Sequence, residues 1–264
     1  MIYLKTEDEI ELMRKANLLV GATLAEVGRN VRPGVTTRQL DAIADAFIRD
    51  HGAVPTFKGF PNPNGPAFPA SICSSVNDVV VHGLPTDVPL KEGDIVSVDC
   101  GTLLEGFNGD SCYTFMVGEV SEDVKQLLRT TKESLYKGIE AAIVGRRIGD
   151  ISYAVQAHNE AQGYGIVREF VGHGIGRDMH EEPNVPNYGR RGNGPQIKNG
   201  LCIAIEPMIT MGNAAVYMTD DRWTIKTQDG SWAAHFEHTI AIHGGRADIL
   251  SSFDEIETIP EQKL

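Results

Sequence analysis

The sequence predicts an α+β fold made of two similar halves, each a pair of helices followed by strands. Two observations carry that reading. Hydrophobic periods run helix, helix, strands and then repeat the same order, and identities recur between the halves at a nearly constant offset. A third observation, one acidic residue on the polar face of each of four strands, points to where the chemistry sits.

Thr6 and Glu9 form a capping box, and Ile10, Met13, Ala16, Val20, Leu24 and Val27 follow at helical spacing. A second helix is predicted over 37–51, with Leu40, Ile43, Ala44, Phe47 and Ile48 on one face. Proline and glycine crowd residues 55–69, which read as a loop. Strand-like text runs from 71 to 117, helices return over 121–143 and 150–162, and strands are predicted from there to the C-terminus.

At an offset of 111, Gly34 matches Gly145, Leu40 matches Ile151, Ala46 matches Ala157 and Gly52 matches Gly163. At an offset of 107, KEGDIVSVD (91–99) matches KNGLCIAIE (198–206). The alternative is a coincidence of strand-entry turns. With no Ser/Gly-rich linker between the halves, a single domain over 1–264 is expected, its halves about 1–120 and 121–264.

Of the 264 residues, 41% are hydrophobic and 23% charged, as in ordinary globular proteins. A net charge of −12 argues against a general nucleic-acid or anionic-membrane binder. The N-terminus lacks a signal-peptide apolar region, and no apolar run approaches the ~18 residues of a membrane span. Cys73, Cys100, Cys112 and Cys202 form no CxxC pair and lie in apolar stretches, as buried thiols in a reducing compartment do. A cytoplasmic location is expected.

Side chains alternate across a strand. Thus Val96, Val98 and Cys100 oppose Ser97 and Asp99, while Phe107, Tyr113, Phe115 and Val117 oppose Asn108, Asp110 and Thr114. Leu201, Ile203 and Ile205 oppose Cys202, Ala204 and Glu206, and Phe236, His238, Ile240 and Ile242 oppose His235, Glu237 and Thr239. Any one of these acids reads equally well as a solvated strand residue. Four on one shared face repel unless a cation compensates them. His173, between glycines in VGHGIGRDMHEEP, adds an imidazole. Such a carboxylate-rich set suits a pair of divalent ions such as Mn, Fe, Co or Zn, a hydrolase's device.

In this order Asp99, Asp110, His173, Glu206 and Glu237 resemble the ligand set of the pita-bread metallohydrolases. More closely, the chain resembles the bacterial type I methionine aminopeptidases, through SICSSVNDVVVHGLP, GDIVSVDCG, GFNGDS, VGHGIGRDMHEEP, IEPM, WTIKT and FEHTI. The resemblance implies a pita-bread fold, with curved antiparallel sheets backed by helices, and two divalent ions (Fe, Mn, Co or Zn). It implies that Asp99 chelates one metal, His173 and Glu206 hold the other, and Asp110 and Glu237 bridge both. A bridging hydroxide would attack the first peptide bond of a nascent chain whose second residue is small, and so remove the initiator methionine. His180 would stabilise the oxyanion, His82 would contact the scissile nitrogen, and Glu206 would shuttle protons. Cys73, Phe60, Phe68, Met179 and Trp223 would line the side-chain pocket, although PNPNGPA (61–67) reads as an insertion between the two phenylalanines.

The resemblance further implies a monomer with neither membrane nor direct nucleic-acid specificity. Its partners would be nascent N-termini and, transiently, the ribosome near the exit tunnel, for which Arg190 and Arg191 are the basic candidates. Two alternatives stand beside this reading. One is a related Xaa-Pro or amidine-type hydrolase, which generally carries a substantial N-terminal domain. The other is a non-catalytic binding module on the same fold, which tends to lose ligands. The remaining histidines, His51, His158, His235, His238 and His243, are expected to be structural or surface residues.

Overall fold

The computed structural model describes all 264 residues. Helices α1 (Glu7–Gly28) and α2 (Thr37–Asp50) lead into β1 (Val54–Pro55), β2 (Ile72–Val76), β3 (Val79–Val81), β4 (Ile95–Leu104) and β5 (Phe107–Met116). Helices α3 (Glu122–Ala141) and α4 (Ile148–Glu160) are followed by β6 (Gly165–Ile166), β7 (Gly172–Gly174), β8 (Glu181–Val185), β9 (Cys202–Ile205) and β10 (Met208–Thr210). Then come β11 (Val216–Met218), β12 (Ile225–Thr227), β13 (Ala233–His235), β14 (Glu237–His243), β15 (Arg246–Ile249), a short α5 (Asp254–Glu257) and a 3-10 turn, Pro260–Gln262.

The first two helices start where their caps dictate. The Glu9 N–H donates to Thr6 Oγ1 at 3.3 Å and the Thr6 N–H to Glu9 Oε2 at 3.1 Å, so two otherwise orphaned donors are satisfied. Thr36 and Gln39 repeat the device at α2. The glycines matched by offset share a backbone conformation. Gly34 and Gly145 have φ of 90° and 91°, and Gly52 and Gly163 have 77° and 80°, left-handed values that a side chain strains. Their N–H groups follow suit, Gly34 donating to Leu90 O and Gly145 to Ile197 O.

Nine strands form one antiparallel sheet along the path β1-β4-β5-β14-β9-β7-β8, with β2 on β4 and β15 on β14; two three-stranded sheets, β13-β10-β6 and β11-β12-β3, adjoin it. Helix α1 lies across β4 and β5, and α3 across β9, β10, β13 and β14. One core of 45 buried residues draws on both halves, including Val96, Val98, Tyr113, Phe115, Ile203, Ile205, Ile240 and Ile242. Phe107 departs from its predicted face-mates and packs in a smaller cluster with Met13, Ile175 and Cys202.

Two expectations are corrected. Residues 201–207 and 235–242 do not continue as simple alternating strands. The ladder breaks at Glu206–Pro207 and at Phe236, and passes from the β9–β14 pair to the β10–β13 pair. Pro207 has no N–H to give the ladder, and this forces the first break. The C-terminal segment is not strand to its end either, because α5 and the 3-10 turn close it.

Helix α1 reaches β5 through Gly109. A Cβ there would stand 2.6 Å from the carbonyl carbon of Ala16 and 2.7 Å from the Asn17 nitrogen. The buried Asn17 then accepts the Asp110 N–H at 3.1 Å, so a helix residue fixes the backbone of a strand acid. Gly109→Ala should force the helix off the strand and cost about 1–3 kcal/mol, read as a lower urea midpoint with an unchanged slope.

Candidate metal centre

The register of four neighbouring strands writes the floor of the site. Cys73 stands opposite Asp99, Asp99 opposite Cys112, and Cys112 opposite Glu237. Residues directly opposite share a face, and Asp110, two along β5 from Cys112, shares it too. Glu206 follows the last residue of β9, in the break that Pro207 opens, and Glu237 is the first residue of β14. The two crossing points thus carry two of the acids.

His173 sits in β7 between Gly172 and Gly174. A Cβ at either glycine would meet a carbonyl oxygen, Ala204 O at 2.4 Å or Glu182 O at 2.3 Å. His173 Nδ1 lies 2.8 Å from Gly174 O, an acceptor only, so the proton resides on Nδ1 and Nε2 presents its lone pair. That Nε2 is 3.7 Å from Asp110 Oδ2 and 3.6 Å from Glu206 Oε1. Asp110, His173 and Glu237 each offer one atom within 4.8 Å of the others.

Asp110 and Glu237 are buried, and Asp99 and Glu206 nearly so. Burial pushes Asp99 up to about 7. Asp110, Glu206 and Glu237 are held well above the usual carboxylate range, first by burial and then by one another's charges. Asp99 Oδ1, Asp110 Oδ1 and Glu237 Oε1 are buried with no hydrogen-bond partner. Buried polar atoms in folded proteins are almost always partnered, and a hard or borderline divalent cation is the partner this oxygen-rich donor set fits.

A cleft of about 190 Å³ opens onto the acids. Phe60, Phe68, Cys73, His82, His180 and Trp223 line it, as do Asp99, Asp110, His173, Glu206 and Glu237. Backbone bonds from Gly59 N–H to Phe68 O and from Phe68 N–H to Phe60 O bring the two phenylalanines together across the 61–67 segment. Met179 is not on the wall. It is buried with Phe107, Ile175 and Cys202, behind Phe57 and Phe60. Its neighbour His180 faces outward, edge-on to Phe60 with ring centroids 5.3 Å apart.

His82 has a φ of 57°, unusual for a side-chain-bearing residue, and is edge-on to Phe170. Gly83 permits this turn, because a Cβ there would lie 2.3 Å from Ser74 O. Burial, and then His180, pushes His82 down to about 4, and burial lowers His180, so both are neutral near pH 7. Glu181, next to His180, forms a buried ion pair with Lys5, whose own N–H donates to Gly200 O at 2.7 Å.

Sequence reasoning missed Phe57, Val81, Phe170, Val171 and Met208, which also line the cleft. Val171 and Met208 lie within the quoted motifs VGHG and IEPM, and Phe170 adjoins the first, a signal that was available. Of the histidines expected to be structural or surface residues, His235 lies beside the acids. His235 is buried, with Nε2 unpartnered and 3.7 Å from Glu206 Oε2. Strand alternation had already set it on the face of Glu237. Arg190 and Arg191 are exposed, Arg191 lying over the Tyr153 ring.

Comparison with known proteins agrees with this geometry. Residues 11–244 match metallopeptidase family M24. The methionine aminopeptidase of Clostridium perfringens is 52% identical over 251 residues, covering 95% of this chain and 99% of that one. A crystal structure of methionine aminopeptidase from Rickettsia prowazekii superposes with a TM-score of 0.91 at 41% identity, over 96% of this chain and 100% of that one. A prolidase from Pyrococcus horikoshii shares the fold alone, with a TM-score of 0.73 at 22% identity over 63% of its own length. The fold is the pita-bread α+β fold. No helix is long and apolar enough to cross a membrane.

The carboxyl groups make the metal-free protein sensitive to pH. A carboxyl with a raised folded pKa binds more protons folded than unfolded, so its stabilisation is lost as pH rises. His82, His173 and His235 work the other way, but only below their unfolded value of 6.5. Between pH 6.5 and 8 the carboxyls therefore decide the sign. The Tm of chelator-treated protein should fall across that window, and divalent metal should restore it at pH 8 by mass action.

Proposed function

The chain belongs to metallopeptidase family M24, and on that footing we propose that it removes the N-terminal methionine from polypeptides whose second residue is small. The carrying observation is the union of the buried acid row with an enclosed apolar pocket. The soft sulfurs of Cys73 and Met208 and the rings of Phe60, Phe68 and Trp223 suit an unbranched thioether.

Two divalent ions of the Mn, Fe, Co or Zn class would be held here, Asp99 serving one, His173 and Glu206 the other, and Asp110 and Glu237 both. When bound, such a pair supplies a Lewis acid and water acidic enough to attack at neutral pH. The protein's own groups do the rest. The pocket seats the first side chain and so lays the first peptide bond across the acids. His180, neutral at the mouth, offers a ring N–H to the carbonyl oxygen as negative charge develops there. His82, also neutral, offers its N–H at the scissile nitrogen. Glu206, whose carboxyl stands beside His173 at the edge of the acid row, is placed to relay a proton to the departing amine. The family's chemistry extends to the partners: nascent chains in the cytoplasm, met near the ribosomal exit tunnel by a monomer, with Arg190 and Arg191 as its basic contacts.

The test is hydrolysis of Met-Ala-Ser beside Ala-Pro-Ala by protein loaded anaerobically with Mn, Fe or Co. Release of methionine alone, abolished by Asp110→Asn, is the expected result; preferential cleavage of the proline peptide would replace the reading with a prolidase. His180→Ala should lower kcat by about 10²–10³-fold, the usual loss for an oxyanion donor.

A further inference from the structure

The segment 61–67 interrupts the pocket's aromatic wall in sequence but not in space. Its neck is closed by the Gly59–Phe68 and Phe68–Phe60 backbone bonds, at 2.8 and 2.9 Å. Its tip reaches the turn between β11 and β12, which belongs to a different sheet. There Asn62 Nδ2 donates to Arg222 O at 3.0 Å, the Arg222 guanidinium donates to Asn64 O, and Trp223 Nε1–H donates to Pro66 O at 2.9 Å. Arg222 holds a left-handed φ of 63°, and a Cβ on Gly65 would press on its side chain at 3.2 Å. Asp221 ties the turn from below by accepting the Trp223 N–H at 2.8 Å.

Two consequences bear on the pocket. The indole N–H is bonded away from the cleft, so Trp223 presents only its apolar ring, edge-on to Phe68 with centroids 5.1 Å apart. The two walls are also joined, so that neither the Phe60–Phe68 side nor the Trp223 side can give way to a wider side chain.

We infer that the 61–67 loop, clasped by Arg222 and Trp223, is a specificity-determining element that fixes the width of the side-chain pocket and admits unbranched, methionine-sized first residues over branched or aromatic ones. The inference rests on the function proposed above. A fixed wall discriminates by misfit, and one misplaced methylene in an apolar pocket is worth about 10–200-fold in kcat/KM.

The experiment compares wild type with two variants, one in which residues 61–67 become Gly-Gly with the neck kept, the other Arg222→Gly. The second relieves the left-handed strain while deleting the clasp's guanidinium. Each is loaded with the same metal and assayed on Met-Ala-Ser, Leu-Ala-Ser and Phe-Ala-Ser. The expected result is a fall of about tenfold in the Met-to-Leu and Met-to-Phe ratios of kcat/KM, arising from KM. Unchanged ratios in folded, metal-loaded variants would overturn the inference and leave the aminopeptidase reading intact, as would a loss confined to kcat. Should the shortened loop fail to fold, Arg222→Gly decides alone. A wild type that releases no methionine would sink the reading and the inference together.

Discussion

The burial of four neighbouring carboxyl groups is the constraint to which the rest of this molecule answers. Asp99, Asp110, Glu206 and Glu237 share one face; burial raises the proton affinity of each, and neighbouring charges raise that of Asp110, Glu206 and Glu237 further. Left alone, such a cluster favours a structure that lets water in. The fold denies that escape. Strand β5 is buried along its whole length, because α1 covers one side and the acid floor forms the other. The strain of like charge is thereby converted into affinity for a divalent cation, and the unpartnered oxygens mark where that affinity is directed.

Rigid backbone contacts keep the acids in place. Asn17 holds the Asp110 N–H from the helix side, and Thr239 donates to the Asp110 carbonyl from the next strand at 2.8 Å. Glu206 owes its position to a proline that ends one ladder and lets another begin. The histidines follow the same logic. His173 stands between glycines that closely approaching carbonyls require, and His82 occupies a turn that Gly83 alone permits. The site is precise because its surroundings leave little room for alternatives.

Much of this was legible in the sequence, and for local reasons. Alternation within β4 and β5 put Asp99 and Asp110 on one face, and the capping boxes marked where α1 and α2 begin. What escaped was non-local. Phe60 and Phe68 look distant along the chain, yet two backbone bonds make them neighbours. Met179 adjoins His180 in sequence, but consecutive residues point apart, so one faces the cleft and the other the core behind it. The break at Phe236 carries no proline to announce it. His235 was on the right face all along, and only the neighbouring strand reveals that Glu206 lies within reach.

The pairing of β5 with β14 also has a mechanical meaning. Ser111 Oγ donates to Glu237 O across 126 residues of chain, at the seam where the first half of the chain meets the second. Asp99 and Asp110 come from one side of that seam, and His173, Glu206 and Glu237 from the other. The acid floor exists only while β14 lies between β5 and β9. A cation held there would act as a clasp between the halves, so that parting the sheet at its centre would also mean giving up the ion.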